Sequence, residues 1–185
     1  MSVTHRAITV DDYHRMGEAG LFAPGERVEL IEGELYRMPP IGQHHCIAVD
    51  VLTRRLILAL GEQAVVSVQN PIALRPTSEP QPDLMVLRPE AWRRPSTPQA
   101  EDTLLLIEVA DSSLAMDRDI KLPLYARHAI PVVWLIDVQA RVVSCHDLPV
   151  GGYYSRSVER RPGDQLQIDG LPQVTIAVAE LFSQA

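Results

Sequence analysis

The chain has 185 residues, 46% of them hydrophobic and 22% charged, with a net charge of −7 and a pI near 5.3. That length fits one domain, residues 1–185, with a real core, and the composition is that of an ordinary globular protein. The strongly basic total that usually marks a nucleic-acid binder is excluded, so a polyanionic partner would have to be met by local basic clusters or through a bound cation.

Cys46 and Cys145 are the only cysteines. They make neither a metal-type spacing nor a disulfide framework and read as two free thiols in a reducing cytoplasm. Met1 to Val10 lacks an apolar stretch of signal-peptide length, and no run approaches the ~18–20 apolar residues of a membrane span. A soluble cytoplasmic protein is expected.

Taken in order, Thr9 to Ala19 reads as a short helix, with Thr9 as cap and Asp11 and Asp12 in its first turn. Pro24-Gly25 breaks the chain. Val28 to Met38 reads as a β-ribbon turning tightly at a Glu-Gly step. Glu29, Glu32 and Glu34 are either its solvent-side residues, or one of them points into a cleft as an extra carboxylate. After Pro39-Pro40-Ile41-Gly42 an amphipathic helix runs from about Gln43 to Leu60 and stops at Gly61. His44 and His45 sit on its first turn, where an imidazole can meet an anion, or have no task. Arg54 and Arg55 either track a phosphate backbone or form a solvated face.

Val65 to Gln69 is a strand, and Asp83 to Leu87 is a second that pairs with it antiparallel. Pro89 to Asp102 is loop-like. Trp92 beside Arg93 and Arg94 reads first as a pin for that loop and second as a base-stacking group. Thr103 to Ala110 is the most apolar strand and the expected centre of the sheet. A helix from about Asp117 to His128, disturbed by Pro123, leads to the buried strand Pro131 to Asp137. This strand–helix–strand has the length of one right-handed crossover. Two half-exposed strands, Arg141 to Asp147 and Tyr153 to Val158, follow around Pro149-Val150-Gly151-Gly152. Val142, Val143, Tyr153 and Tyr154 give them an apolar character that permits a dimer. Val178 to Phe182 reads as a closing helical turn.

Chemistry concentrates between Glu79 and Lys121. Two apolar runs each carry one carboxylate, Asp83 and Glu108, and an isolated buried carboxylate is costly. The two make sense together if they hold a divalent cation that activates water for phosphodiester hydrolysis, with the Val109 carbonyl as a further ligand. Lys121 then adds fixed positive charge near the attacking water or the scissile phosphate. The plainer alternatives are that Asp83 caps a turn after Pro82 and that Glu108 pairs with Lys121 as a buried ion pair.

The stretches Val28 to Glu34, Pro40-Ile41-Gly42 with His45, Glu79 to Leu84, Ile107 to Ser113 and Lys121 to Ala126 resemble the PD-(D/E)xK nuclease superfamily. More closely they resemble the large bacterial family of restriction-endonuclease-like proteins first described as a domain of unknown function. The resemblance spans about Val28 to Asp137. It implies an α/β (α+β) fold: a restriction-endonuclease-like core, with a mixed β-sheet flanked by helices, an extra N-terminal β-ribbon and C-terminal strands. It implies a DNA endonuclease dependent on Mg2+ or Mn2+, with Asp83 and Glu108 as metal ligands. The superfamily's lysine position two residues after the second acid is Ala110 here, and Lys121 matches the migrated lysine of this family. His45 matches a histidine of the first core helix, and Glu34 is the favoured early glutamate. The competing reading is a nucleic-acid-binding or assembly module that keeps the fold with little or no chemistry.

Overall fold

The computed structural model describes residues 6–168 and 170–182; the side chains of Trp92, Pro172 and Gln173 are not among those described, so the stacking role considered for Trp92 lies outside them. A mixed six-stranded sheet organises the chain, in the order β3-β4-β5-β6-β7-β8. Its strands are β3 (Val65–Val68), β4 (Leu84–Leu87), β5 (Thr103–Ala110), β6 (Val132–Asp137), β7 (Val142–Val150) and β8 (Tyr153–Arg160). Only the β5–β6 pair is parallel, and the connection between them is the expected helical crossover. β4 and β5, buried along nearly their whole length, form the apolar middle.

Alternation along the strands divides the core in two. Leu84, Val86, Leu105 and Ile107 point to one face, against helix α2 (Gln43–Leu60) and the hairpin β9 (Gln165–Ile168)–β10 (Leu171–Ala177). Ala48, Leu52, Leu56 and Leu60 recur at the steps of one helical face and are all but fully buried. Gly61 ends the helix in the left-handed region at φ 52°. Burying each of these leucines stabilises by about 1.5–3 kcal/mol over leaving it exposed. Arg55 pairs with Glu180 of the closing 3₁₀ turn (Val178–Phe182), which ties α2 to the end of the chain.

Met85, Leu87, Leu106 and Val133 point to the other face. It is covered by the ribbon β1 (Val28–Ile31)–β2 (Glu34–Arg37) and by the crossover helix. The helical segment starts earlier than the sequence suggests. It comprises α3 (Leu114–Met116), a π turn (Asp117–Lys121) and α4 (Leu122–Arg127). Pro123 has no N–H, and its ring crowds the carbonyl four residues back, so the chain widens by one residue before it. The Leu122 N–H accordingly reaches the Asp117 carbonyl, five residues back.

The ribbon turns through Glu32 and Gly33, both at positive φ, the geometry of a tight two-residue hairpin. A Cβ on Gly33 would collide with Ala7, so the close approach of the N-terminal segment requires glycine there. Helix α1 (Val10–Glu18) is capped by Thr9 in a reciprocal box with Asp12.

The exposed apolar side chains of the two closing strands are Leu148, Val150, Tyr153 and Val158, and of these only Tyr153 is among the four expected. Val142 and Val143 are buried, Val143 on one core, and Tyr154 packs against the other core and donates to the Ile130 carbonyl at 2.9 Å; only Tyr153 of the four is exposed. Those residues therefore provide no continuous apolar face for a dimer.

A candidate active site of buried carboxylates

Antiparallel pairing of Leu84 with Ile107 sets Asp83, just before β4, opposite Glu108 near the end of β5. The two acids foreseen as a pair therefore meet at one end of the central strands. Asp83 accepts from both sides. Its Oδ1 lies 2.8 Å from His45 Nε2, and its Oδ2 receives the Val109 N–H at 2.8 Å. The Val109 amide is thus engaged with Asp83. His45 is the buried histidine of the first turn of α2 and His44 is exposed. Position 45 shares the face of Val49, Leu52, Leu56 and Leu60, while its neighbour is rotated about 100° away.

Lys121, almost fully buried, reaches Glu29 Oε2 at 2.9 Å, Glu108 Oε1 at 3.3 Å and Asp117 Oδ1 at 3.7 Å. The π turn carries both Asp117 and Lys121. Tyr125 donates to Glu108 Oε1 at 2.5 Å, and Ser113 donates to Asp117 Oδ2 at 2.5 Å. Lys121 and Tyr125 both engage Oε1 of Glu108, and Oε2 has no hydrogen bond among the described residues.

Three buried carboxylates therefore share one lysine, and Asp83 lies beside them against His45. Burial, which disfavours charge, raises the Glu108 carboxyl well above its ordinary value. Lys121 opposes that rise, and the negative charges of Asp117, Asp83 and Glu29 add to it. Glu29 and Asp117 are raised for the same leading reason, again against the pull of Lys121. For Lys121 burial acts downward, but Glu108, Glu29 and Asp117 together outweigh it and hold the ammonium form. The Tyr125 hydroxyl is pushed far up by burial and by Glu108.

This cluster forms the floor of a cleft with ≈ 450 Å³ of space, open solvent included. Its rim holds Arg27, Met38 to Gly42 and Asp111 to Ser113. The other expectations fall as follows. Glu34 is exposed on β2, hydrogen-bonded to Tyr36, and lies outside the cleft. It shares a ribbon face with Glu29 but sits at the turn, whereas Glu29 lies two residues farther along, about 7 Å in strand terms, over Lys121. Glu29, Asp117 and Tyr125 are the site members the residue-level reading did not assign. The ribbon is fixed in this place by backbone bonds, Glu79 N–H to the Leu30 carbonyl at 2.7 Å and Gly33 N–H to the Thr77 carbonyl at 2.8 Å. Arg54 and Arg55 lie on α2 away from the cleft lining.

The donor set fits a hard divalent cation. The negative charge exceeds the positive, the available oxygens are carboxylates, and Oε2 of Glu108 is left unpaired. Among the described residues no group of three or more His, Cys, Asp or Glu side chains is placed to hold a metal ion. A cation that keeps several waters and takes one or two carboxylates does not need such a group.

No curated protein matches the chain. Among solved structures, it is similar to the crystal structure of "a putative nuclease belonging to DUF820" from Anabaena variabilis ATCC 29413. The TM-score is 0.76 at 16% identity, over 95% of this chain and 98% of that one, and at that identity the likeness shows a common fold. A family model described as "Putative restriction endonuclease" matches residues 10–179, nearly the whole length, and the chain belongs to that family, Uma2.

Proposed function

We propose that this protein is a metal-dependent phosphodiesterase, a DNA endonuclease in which Asp83 and Glu108, with the Val109 carbonyl as a further ligand, hold Mg2+ or Mn2+. The observation that carries the reading is the surplus of buried carboxylate over buried cation on the floor of an open cleft, with Glu108 Oε2 unpaired. Family membership supports the same reaction class. The bound cation supplies Lewis acidity at phosphate oxygens and lowers the pKa of a coordinated water. The chain's own residues do the rest. His45 fixes the orientation of Asp83 through Oδ1, and the Val109 amide does so through Oδ2. Each oxygen retains a lone pair for a ligand. Tyr125 holds Glu108 by Oε1, which leaves Oε2 free for a ligand. Lys121, kept charged by three carboxylates, contributes a fixed positive charge beside the site of attack.

The test is direct. Supercoiled plasmid is nicked in the presence of Mg2+ or Mn2+, and nicking disappears in Glu108→Ala. Calorimetry registers Mn2+ binding that Asp83→Ala abolishes. Nicking that survives Glu108→Ala, or Mn2+ binding unchanged by Asp83→Ala, removes the assignment. A second reading is a binding or assembly module with little chemistry. It draws on the engagement of both Asp83 oxygens by the protein and on the net charge of −7. DNA binding without nicking in any divalent cation selects it.

A further inference from the structure

Two lysine or arginine side chains line the cleft, Lys121 on its floor and Arg27 on its rim, and they are in opposite circumstances. Lys121 is spent on Glu29, Glu108 and Asp117. Arg27 is half-buried and, among the described residues, makes no side-chain hydrogen bond or ion pair, although the cleft is rich in acids. The acids are engaged by other groups: Asp83 by His45, Asp111 by the Gln139 amide, and Glu29, Glu108 and Asp117 by the one Lys121 they share. Arg27 immediately precedes β1, and its carbonyl receives the Met38 N–H at 2.8 Å, so its backbone is held by the ribbon. Strand period places it on the face of Glu29, one side-chain step away from it. A guanidinium so placed has its full fork of donors available to an anion.

We infer that Arg27 binds a phosphate of the DNA strand beside the cleavage site. The inference rests on the nuclease reading above and adds the group that holds the substrate. A chain of net charge −7 with a carboxylate floor repels a polyanion unless a cation at the cleft wall offsets it locally. Among the described residues Arg27 is the cleft-lining cation with donors to spare, and a phosphate is the anion that its planar fork fits in bidentate fashion.

The experiment compares wild type, Arg27→Gln and Arg27→Lys. Anisotropy of a labelled short duplex in EDTA reads binding without cleavage, and steady-state nicking with Mn2+ reads kcat and KM. Arg27→Gln weakens binding and raises KM by on the order of ten-fold, with kcat little changed. Arg27→Lys restores part of it, and the slope of log affinity against log salt falls by about one in the glutamine variant. Thermal stability and Mn2+ affinity stay at wild-type values, since among the described residues Arg27 makes no hydrogen bond or ion pair with the carboxylates. Wild-type binding and KM in Arg27→Gln overturn the inference while leaving the nuclease reading intact. Loss of Mn2+ affinity in that variant also overturns it, as it makes Arg27 a support of the metal site. A wild type that neither binds nor nicks DNA overturns both.

Discussion

On one side of the sheet, α2 and the β9–β10 hairpin bury leucines, valines and isoleucines against the strands. On the other side, the ribbon and the π turn bring together Glu29, Glu108, Asp117 and Lys121, all at most 3% exposed. The first region stabilises the fold through apolar area removed from water. The second carries charges that each cost free energy to bury and are tolerable only because they are matched. The contrast separates what holds the chain together from what its chemistry requires.

Lys121→Ala should widen that contrast most. It leaves three buried carboxylates without their cation, and breaking a buried ion pair of this kind costs about 3–5 kcal/mol. The sign with pH follows from the raised carboxyl values. A carboxyl whose folded pKa exceeds its unfolded one binds protons preferentially in the native state. Its penalty is absent below the ordinary carboxylate range and grows as pH rises through and above it. Lys121 itself, raised, stays charged across that whole window. Urea unfolding should therefore show a larger loss at pH 8 than at pH 4.5. An equal loss at both would mean the network is not what Lys121 stabilises. Next in size, Leu56→Ala on α2 should cost about 3 kcal/mol, and that cost should be flat with pH, because only packing is removed.

Glu108→Gln should act in the opposite direction on stability. It removes the ionised group that burial penalises most, and Glu29 and Asp117 remain to hold Lys121. Stability at pH 8 should be unchanged or raised by about 1–2 kcal/mol, while nicking and Mn2+ binding are lost. In the wild type, Mn2+ affinity should climb with pH above the ordinary carboxylate range, because the cation displaces a proton from Glu108. A fall in stability comparable to that of Lys121→Ala would erase the distinction between the two sides.

How far the sequence discloses each side follows from the same physics. The ends of α2 were legible, because the amphipathic period and the glycine stop are both local. The pairing of β3 with β4 and the parallel crossover were legible from apolar runs and turn residues. Asp83, Glu108 and Lys121 stood out because charges in or beside apolar runs demand partners. The choice of Glu29 over Glu34 was not legible, since it depends on how far along the ribbon lies the residue that rests over Lys121. Asp117 looked like an ordinary first-turn acid. It lies four residues before Lys121, the ordinary spacing of a helical ion pair, but nothing local marks that pair as buried in the site. The hairpin β9–β10 was missed although Leu166, Ile168, Val174 and Ile176 alternate; its strands are short and pair with each other away from the main sheet.

The smallest expected effect tests how independently the ribbon is held. Tyr13 on α1 donates to the Val28 carbonyl at 2.8 Å, one residue before Glu29. Tyr13→Phe removes that donor from a half-buried carbonyl and should cost about 1 kcal/mol. Mn2+ affinity should not change, because β1 is also fixed by the Glu79 N–H on Leu30 and by the Ser78 hydroxyl, which accepts from the Glu32 N–H at 2.9 Å. A stability loss with intact affinity means the ribbon carries Glu29 on anchors of its own. A parallel drop in Mn2+ affinity means that α1 reaches the site through this one hydrogen bond, and that the stabilising and chemical parts of the molecule share a hinge at Val28.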